Sequence, residues 1–150
     1  MKKSIISKIV AIILKIILGF GAISLVFVPF IYNFIGKYQN ITFNDQTTLY
    51  KIALYVSAII VLYIIFELIR IFSLVYKENP FNRHTEYSLK RIAISLMILS
   101  LITLTKSIFI PTVLSYSIVI ILFVGSLGVY VLSQVFKIAI EYKNEIDYTV

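Results

Sequence analysis

Three ionisable side chains, Glu67, Arg70 and Lys106, interrupt runs that are otherwise apolar. A charge at membrane depth is costly enough to be a functional candidate by default. Glu67 is the sharpest of them. Counted from Ile52, it falls about one turn inside the boundary of a span of roughly 20 residues, with Arg70 at i+3 and Tyr63 at i−4 on about the same face. A carboxylate and a guanidinium at that spacing can bond side by side, which reduces the cost of burying either. Two readings stand: an interfacial pair that snorkels to water and fixes helix depth, or a switch or ligand-holding site in the inner half of the membrane. Lys106 poses the same choice near the other end of its span, with snorkelling the plainer reading.

A second polar set lies further on. Ser126, Tyr130, Ser133 and Lys137 recur at helical spacing, with Gln134 beside them. Lipid offers hydroxyls no partner, so this stripe is expected to face other helices, as packing glue or as a small polar cavity shared with Glu67 and Arg70. His84 is the single histidine. With no second His or Cys to join it, it reads as a solvated loop residue rather than a metal ligand or pH sensor. Gly125-Ser126-Leu127-Gly128 superficially resembles a nucleophile turn but does not match G-x-S-x-G, and small residues in a transmembrane helix more often permit close packing. The sequence contains no P-loop, no H-E-x-x-H and no aspartate pair. The expectation is a non-enzymatic protein with no catalytic residue, no cofactor and no metal site.

The elements that must hold these residues are helices. Of the 150 residues, 60% are hydrophobic and the mean hydropathy is +0.98, outside the range of ordinary soluble domains. A hydrocarbon core about 30 Å thick takes around 20 apolar residues per helix, so four spans and three connections use nearly the whole chain. The fold expected is all-α, a single integral membrane four-helix bundle with spans at about 16–35, 52–74, 92–110 and 115–136. Cysteine is absent, which excludes disulfides and thiolate chemistry. The net charge of +7 sits beside apolar spans, where cations meet anionic lipid headgroups rather than nucleic acid. Membrane lipids are thus expected partners and direct nucleic-acid contact is not. The Ile-rich and Lys-rich usage fits an AT-rich bacterium.

In chain order, residues 1–15 form an amphipathic opening with Ser4, Lys8, Ala11 and Lys15 on one stripe. A signal peptide is the rival reading, disfavoured because Lys15 interrupts the apolar run, no A-x-A site follows, and apolar sequence continues to Ile35. Pro29 is expected to kink the first span. Tyr38, Phe43 and Tyr50 in the next connection read as interfacial anchors. The second span is uncharged only as far as Phe66 and must continue through Glu67 and Arg70 towards Tyr76. A polar island, Lys77 to Arg91, follows, with an Asn79-Pro80-Phe81 turn and Asn82 as the expected cap of the next helix. Pro111 ends the third span, a tight PTVLS connection leads into the fourth, and the tail from Lys137 to Val150 extends that last helix.

Orientation follows from the lysines and arginines. Lys2, Lys3, Lys8 and Lys15 lie at the amino end; Arg70, Lys77, Arg83, Lys90 and Arg91 lie around the island; Lys137 and Lys143 lie in the tail. Only Lys37, Lys51 and Lys106 fall on the other side. Both termini and the island are therefore expected in the cytoplasm of a bacterial inner membrane.

Asn79-Pro80-Phe81 with Asn82, followed by Leu89, Arg91 and Ile92, resembles the Pro-Phe loop of the YoaS-like small four-span bacterial membrane proteins of unknown function. The tail, Val135-Phe136-Lys137-Ile138-Ala139 and then Glu145-Ile146-Asp147-Tyr148-Thr149-Val150, is similar to that family's ending. This chain departs from the pattern at Asn144 and Tyr148. The resemblance implies no biochemistry of its own, but it implies a small helix-turn-helix transcriptional regulator as partner, because members are often encoded beside one. The candidate surface comprises Asn79, Pro80, Phe81, Arg83 and Arg91 with Glu145 and Asp147, and the intramembrane polar candidates are Glu67, Arg70, Tyr130 and Lys137. Island and tail, basic and acidic, either dock on each other or jointly face a soluble partner. Exposed ion pairs contribute only about 0 to 1 kcal/mol each, so docking would also need Ile138, Tyr142, Ile146 and Tyr148 to pack. Bacteriocin immunity or envelope-stress protection is one alternative function. A small transporter or channel subunit is another, and it would require a homo-oligomer.

Overall fold

The computed structural model describes residues 2–38, 46–76, 82–109, 111 and 113–148. Four helices account for nearly all of them: α1 (Lys2–Tyr38), α2 (Gln46–Tyr76), α3 (Arg83–Phe109) and α4 (Val113–Tyr148). All four are long and apolar enough to cross a bilayer, and the chain reads as a multi-pass membrane protein. The Asn79-Pro80-Phe81 turn, the centre of the connection between the first two helices, and Thr112 lie outside the described residues.

The helices are longer than their apolar cores. The amphipathic opening and the first span form one helix, which continues through Pro29. Asn82 caps α3: its carbonyl accepts from the Thr85 amide at 2.9 Å, and its Oδ1 accepts from the His84 amide at 3.4 Å. His84 thus belongs to the first turn of a helix rather than to a loop. Glu86 in the same turn complements the positive end of the helix dipole, and Pro111 follows soon after α3 ends.

Successive helices run antiparallel. Ser7 on α1 meets Phe72 on α2, Glu67 on α2 meets Arg91 on α3, and Ala93 and Ser100 on α3 meet Ser126 and Val119 on α4. One end of the molecule thereby gathers the start of α1, the end of α2, the start of α3 and the end of α4. Close approach is confined to α1 with α2, α2 with α3 and, most extensively, α3 with α4. The all-helical, four-helix architecture is as expected, and among the described residues α1 does not close on α4, so the helices form an open sequential array. The physical reason is where the polar groups lie. Most of the buried polar side chains are on α3, namely Thr85, Ser88, Ser95, Ser100 and Ser107, and that helix is covered on two sides. By contrast α1 offers Ile16, Phe20, Ile23, Phe27 and Phe30 outward, a perimeter that lipid satisfies as well as protein would.

Candidate functional site

The site is built from the facing ends of α2 and α3. Glu67 is only 2% exposed, and an ionised carboxylate removed from water is costly unless it is paired. Its partner comes from α3. Arg91 Nη2 donates to Glu67 Oε2 at 3.2 Å, and Arg91 Nε lies 3.0 Å from Oε1. The Nε–H itself has no hydrogen-bond partner, so that second contact is electrostatic rather than a linear bond. The same Nη2 also donates to Ser88 Oγ at 3.2 Å, from a serine that is fully buried. Thr85, one turn earlier, is buried with a hydroxyl that finds no partner among the described residues.

Arg70 plays a lesser part than its i+3 spacing suggested. Its Nη1 stands 3.8 Å from Glu67 Oε1, and its side chain is 52% exposed against 42% for Arg91. The carboxylate is therefore held across the helix pair by Arg91, with Arg70 as an outer cation. Spacing along the chain alone puts Arg91 on a loop surface and pairs Glu67 with Arg70 on its own helix. A signal was nonetheless present, because Glu67 and Arg91 lie equally far on either side of Asn79 and an antiparallel hairpin places such positions opposite each other.

The α4 stripe divides. Ser126 is buried and donates to the Ala93 carbonyl on α3 at 2.8 Å, and Ser133 is buried and donates to the Tyr130 carbonyl of its own helix at 2.6 Å. Tyr130 and Lys137 are exposed, so the four residues do not share a protein-facing cavity with Glu67. Tyr130 falls to the side of the line on which Ser126 and Ser133 repeat, and Lys137, close to that line, lies past the level at which α3 begins. Gly125 and Gly128 face open space, where an added Cβ would meet nothing, and they do not mediate close packing within the chain. Gly21 does: a Cβ there would come within 2.6 Å of Leu62 Cδ2 on α2. The buried serines of α3, which donate across helices at Ser100 (to the Val119 carbonyl, 3.2 Å) and within the helix at Ser107 (to the Thr103 carbonyl, 2.8 Å), escaped the sequence reading.

The remaining candidates are dispersed. Arg83 is exposed at the start of α3, and Glu145 is exposed near the end of α4; the side chain of Asp147 lies outside the described residues, as do Asn79, Pro80 and Phe81. Ile138, Tyr142, Ile146 and Tyr148, which would have to pack for the tail to dock on the island, are all exposed. Ile140 between them is buried, which seats the base of the extension. Among the described residues no group of three His, Cys, Asp or Glu could hold a metal ion.

A family model described as a protein of unknown function (DUF2975) matches residues 29–150, which takes in α2, α3 and α4 whole and both segments on which the resemblance rested. No curated protein and no solved structure matches.

Proposed function

The chain belongs to the DUF2975 family, whose function is unknown, and from that premise we propose that it is a non-enzymatic multi-pass membrane protein whose α4 extension binds a soluble partner. One observation carries the reading. From the pairing of Ser126 with Ala93, α4 draws level with the first residue of α3 near Phe136, and it then continues as helix to Tyr148, about 18 Å further at about 1.5 Å per residue. Leading into this extension and along it, Val131, Val135, Ile138, Tyr142 and Ile146 recur at spacings of four, three, four and four, all exposed, with Tyr142 and Ile146 each 63% so. An apolar stripe on a projecting helix, flanked by Glu141, Lys143 and Glu145, is the form that docks into a groove on another protein.

The acidic residues favour a partner with a basic rim, and the small helix-turn-helix regulator implied by the resemblance fits that description. Placing this end in the cytoplasm, as the lysine and arginine distribution favours, gives the partner access. Support for a non-enzymatic role comes from the site: the hydroxyls of Ser100, Ser126 and Ser133 are spent on backbone carbonyls, and Glu67 is spent on Arg91. A transport role is less well supported, because an array in which α1 and α4 stay apart encloses no pathway.

The test is binding of that regulator, purified, to the detergent-solubilised protein. Replacing both Tyr142 and Ile146 by Glu changes only exposed side chains, and it is expected to weaken binding at least about 30-fold, since anchor residues at interfaces are worth about 2 kcal/mol or more. Binding that survives the double substitution unchanged refutes the proposal.

A further inference from the structure

We infer that Arg70 and Arg91 together form a site for a phosphate group, that of an anionic lipid headgroup. Both guanidiniums reach the same oxygen, Glu67 Oε1, from two helices, Arg91 Nε at 3.0 Å and Arg70 Nη1 at 3.8 Å. Two positive charges are thus held close together against one negative charge, leaving an excess of one. The negative charge is sealed inside at 2% exposure, while the two positive side chains are 42% and 52% exposed. An anion approaching from outside therefore meets the cations and not the carboxylate.

Donor capacity remains as well. A guanidinium has five N–H groups in a rigid fork. Arg91 spends Nη2 on Glu67 and Ser88 and keeps Nε buried against Glu67, which leaves Nη1, and among the described residues Arg70 makes no ion pair closer than its 3.8 Å approach to Glu67. The carboxylate fixes the Nε–Nη2 edge of Arg91, so Nη1 of Arg91 and the guanidinium of Arg70 are the donors that remain for phosphate oxygens. A free guanidinium would lose its rotational freedom on binding; that of Arg91 is already fixed.

The surroundings select the source of the phosphate. Exposed cations gather at the same end, Lys8 and Lys15 on α1 and Lys137 on α4. Basic residues between transmembrane helices at such a level meet anionic headgroups. Lipid headgroups are also present at high local concentration there, whereas a soluble phosphate must come from bulk water.

The experiment uses the full chain, delipidated in neutral detergent, with bound lipid counted by native mass spectrometry during titration with phosphatidylglycerol, with phosphatidylcholine, and with sodium phosphate alone. The expected result is one retained phosphatidylglycerol per chain, preferred at least about tenfold over phosphatidylcholine. Arg70→Gln is expected to reduce that affinity about tenfold, the scale of one charge-assisted hydrogen bond, without disturbing the Glu67–Arg91 pair. Lys90→Gln, an exposed cation of the same end, is expected to leave it unchanged. Sodium phosphate that displaces the lipid stoichiometrically and binds as tightly keeps the two-arginine clamp and assigns it to soluble phosphate. Equal affinity for the two lipids, full retention in Arg70→Gln, or an equal loss in Lys90→Gln overturns the site.

Discussion

At the residue scale the dominant fact is asymmetry within one ion pair. Glu67 is sealed and Arg91 is not, so the cost of losing a partner falls unequally. Arg91→Met strands a buried carboxylate and is expected to cost about 3 to 5 kcal/mol. Arg70→Met removes an outer cation and is expected to cost no more than about 1 kcal/mol. Replacing both Glu67 and Arg91, with Leu and Met, removes the stranded charge and should recover most of the loss, because apolar substitutes for a buried pair are often neutral. Unfolding in mixed micelles with increasing SDS measures all three; a double mutant as unstable as Arg91→Met would show that the pair contributes more than mutual neutralisation. That Glu67 matters was legible in the sequence, since a charge inside an apolar run is conspicuous. Its true partner was not, because sequence spacing reports neighbours on one helix while tertiary pairing depends on how the intervening turn aligns two.

At the scale of elements, α3 organises the molecule. It is the least apolar of the four candidate spans and the most buried, and the two properties have one cause: serines and threonines are tolerated where helix neighbours, not lipid, surround them. The expectation of four spans came from hydropathy and holds in the four apolar helices. The packing order did not come with it, because lipid-facing and protein-facing Ile and Leu look alike in composition. The interhelical hydroxyl of Ser126 should be worth about 0.6 to 2 kcal/mol, so Ser126→Ala is expected to destabilise by that amount in the same micelle assay. Ser133→Ala, which loses only a bond to its own helix, should be close to neutral. Equal effects would deny the α3–α4 hydrogen bond its role. On the α1–α2 face, Gly21→Leu is expected to cost about 1 to 3 kcal/mol by overpacking against Leu62. Gly19→Leu, whose Cβ meets nothing, should cost little.

At the scale of the whole molecule, the chain has no cysteine, so pairs can be introduced without background. Cysteines at Ala93 and Ser126, beside each other on α3 and α4, should cross-link readily on mild oxidation. A pair placed on α1 and α4 should not cross-link within one chain. An efficient intramolecular α1–α4 bridge would mean that the array closes in the membrane. Reporter fusions at positions 84 and 148 are expected to respond from the same face of the bilayer, since the up-down order of the helices puts the start of α3 and the end of α4 at one end. Opposite responses would exclude the compartment assumed for the partner. The projecting helical tail was foreseen from charges mixed with apolar residues at helical spacing. Its exposed stripe was not, because spacing shows that a face exists without showing whether anything within the chain covers it.

The neighbour-only order of contacts bears on biogenesis. No helix has to wait for a distant segment before finding its place, so assembly can proceed hairpin by hairpin as the polypeptide leaves the ribosome, at low cost in loop closure. The final hairpin brings the most extensive interface, so the nascent chain gains its firmest contact last. Removing α1 would sacrifice a single interface, whereas stopping synthesis after α3 would leave a row of buried serines facing lipid, a natural mark for quality-control proteolysis.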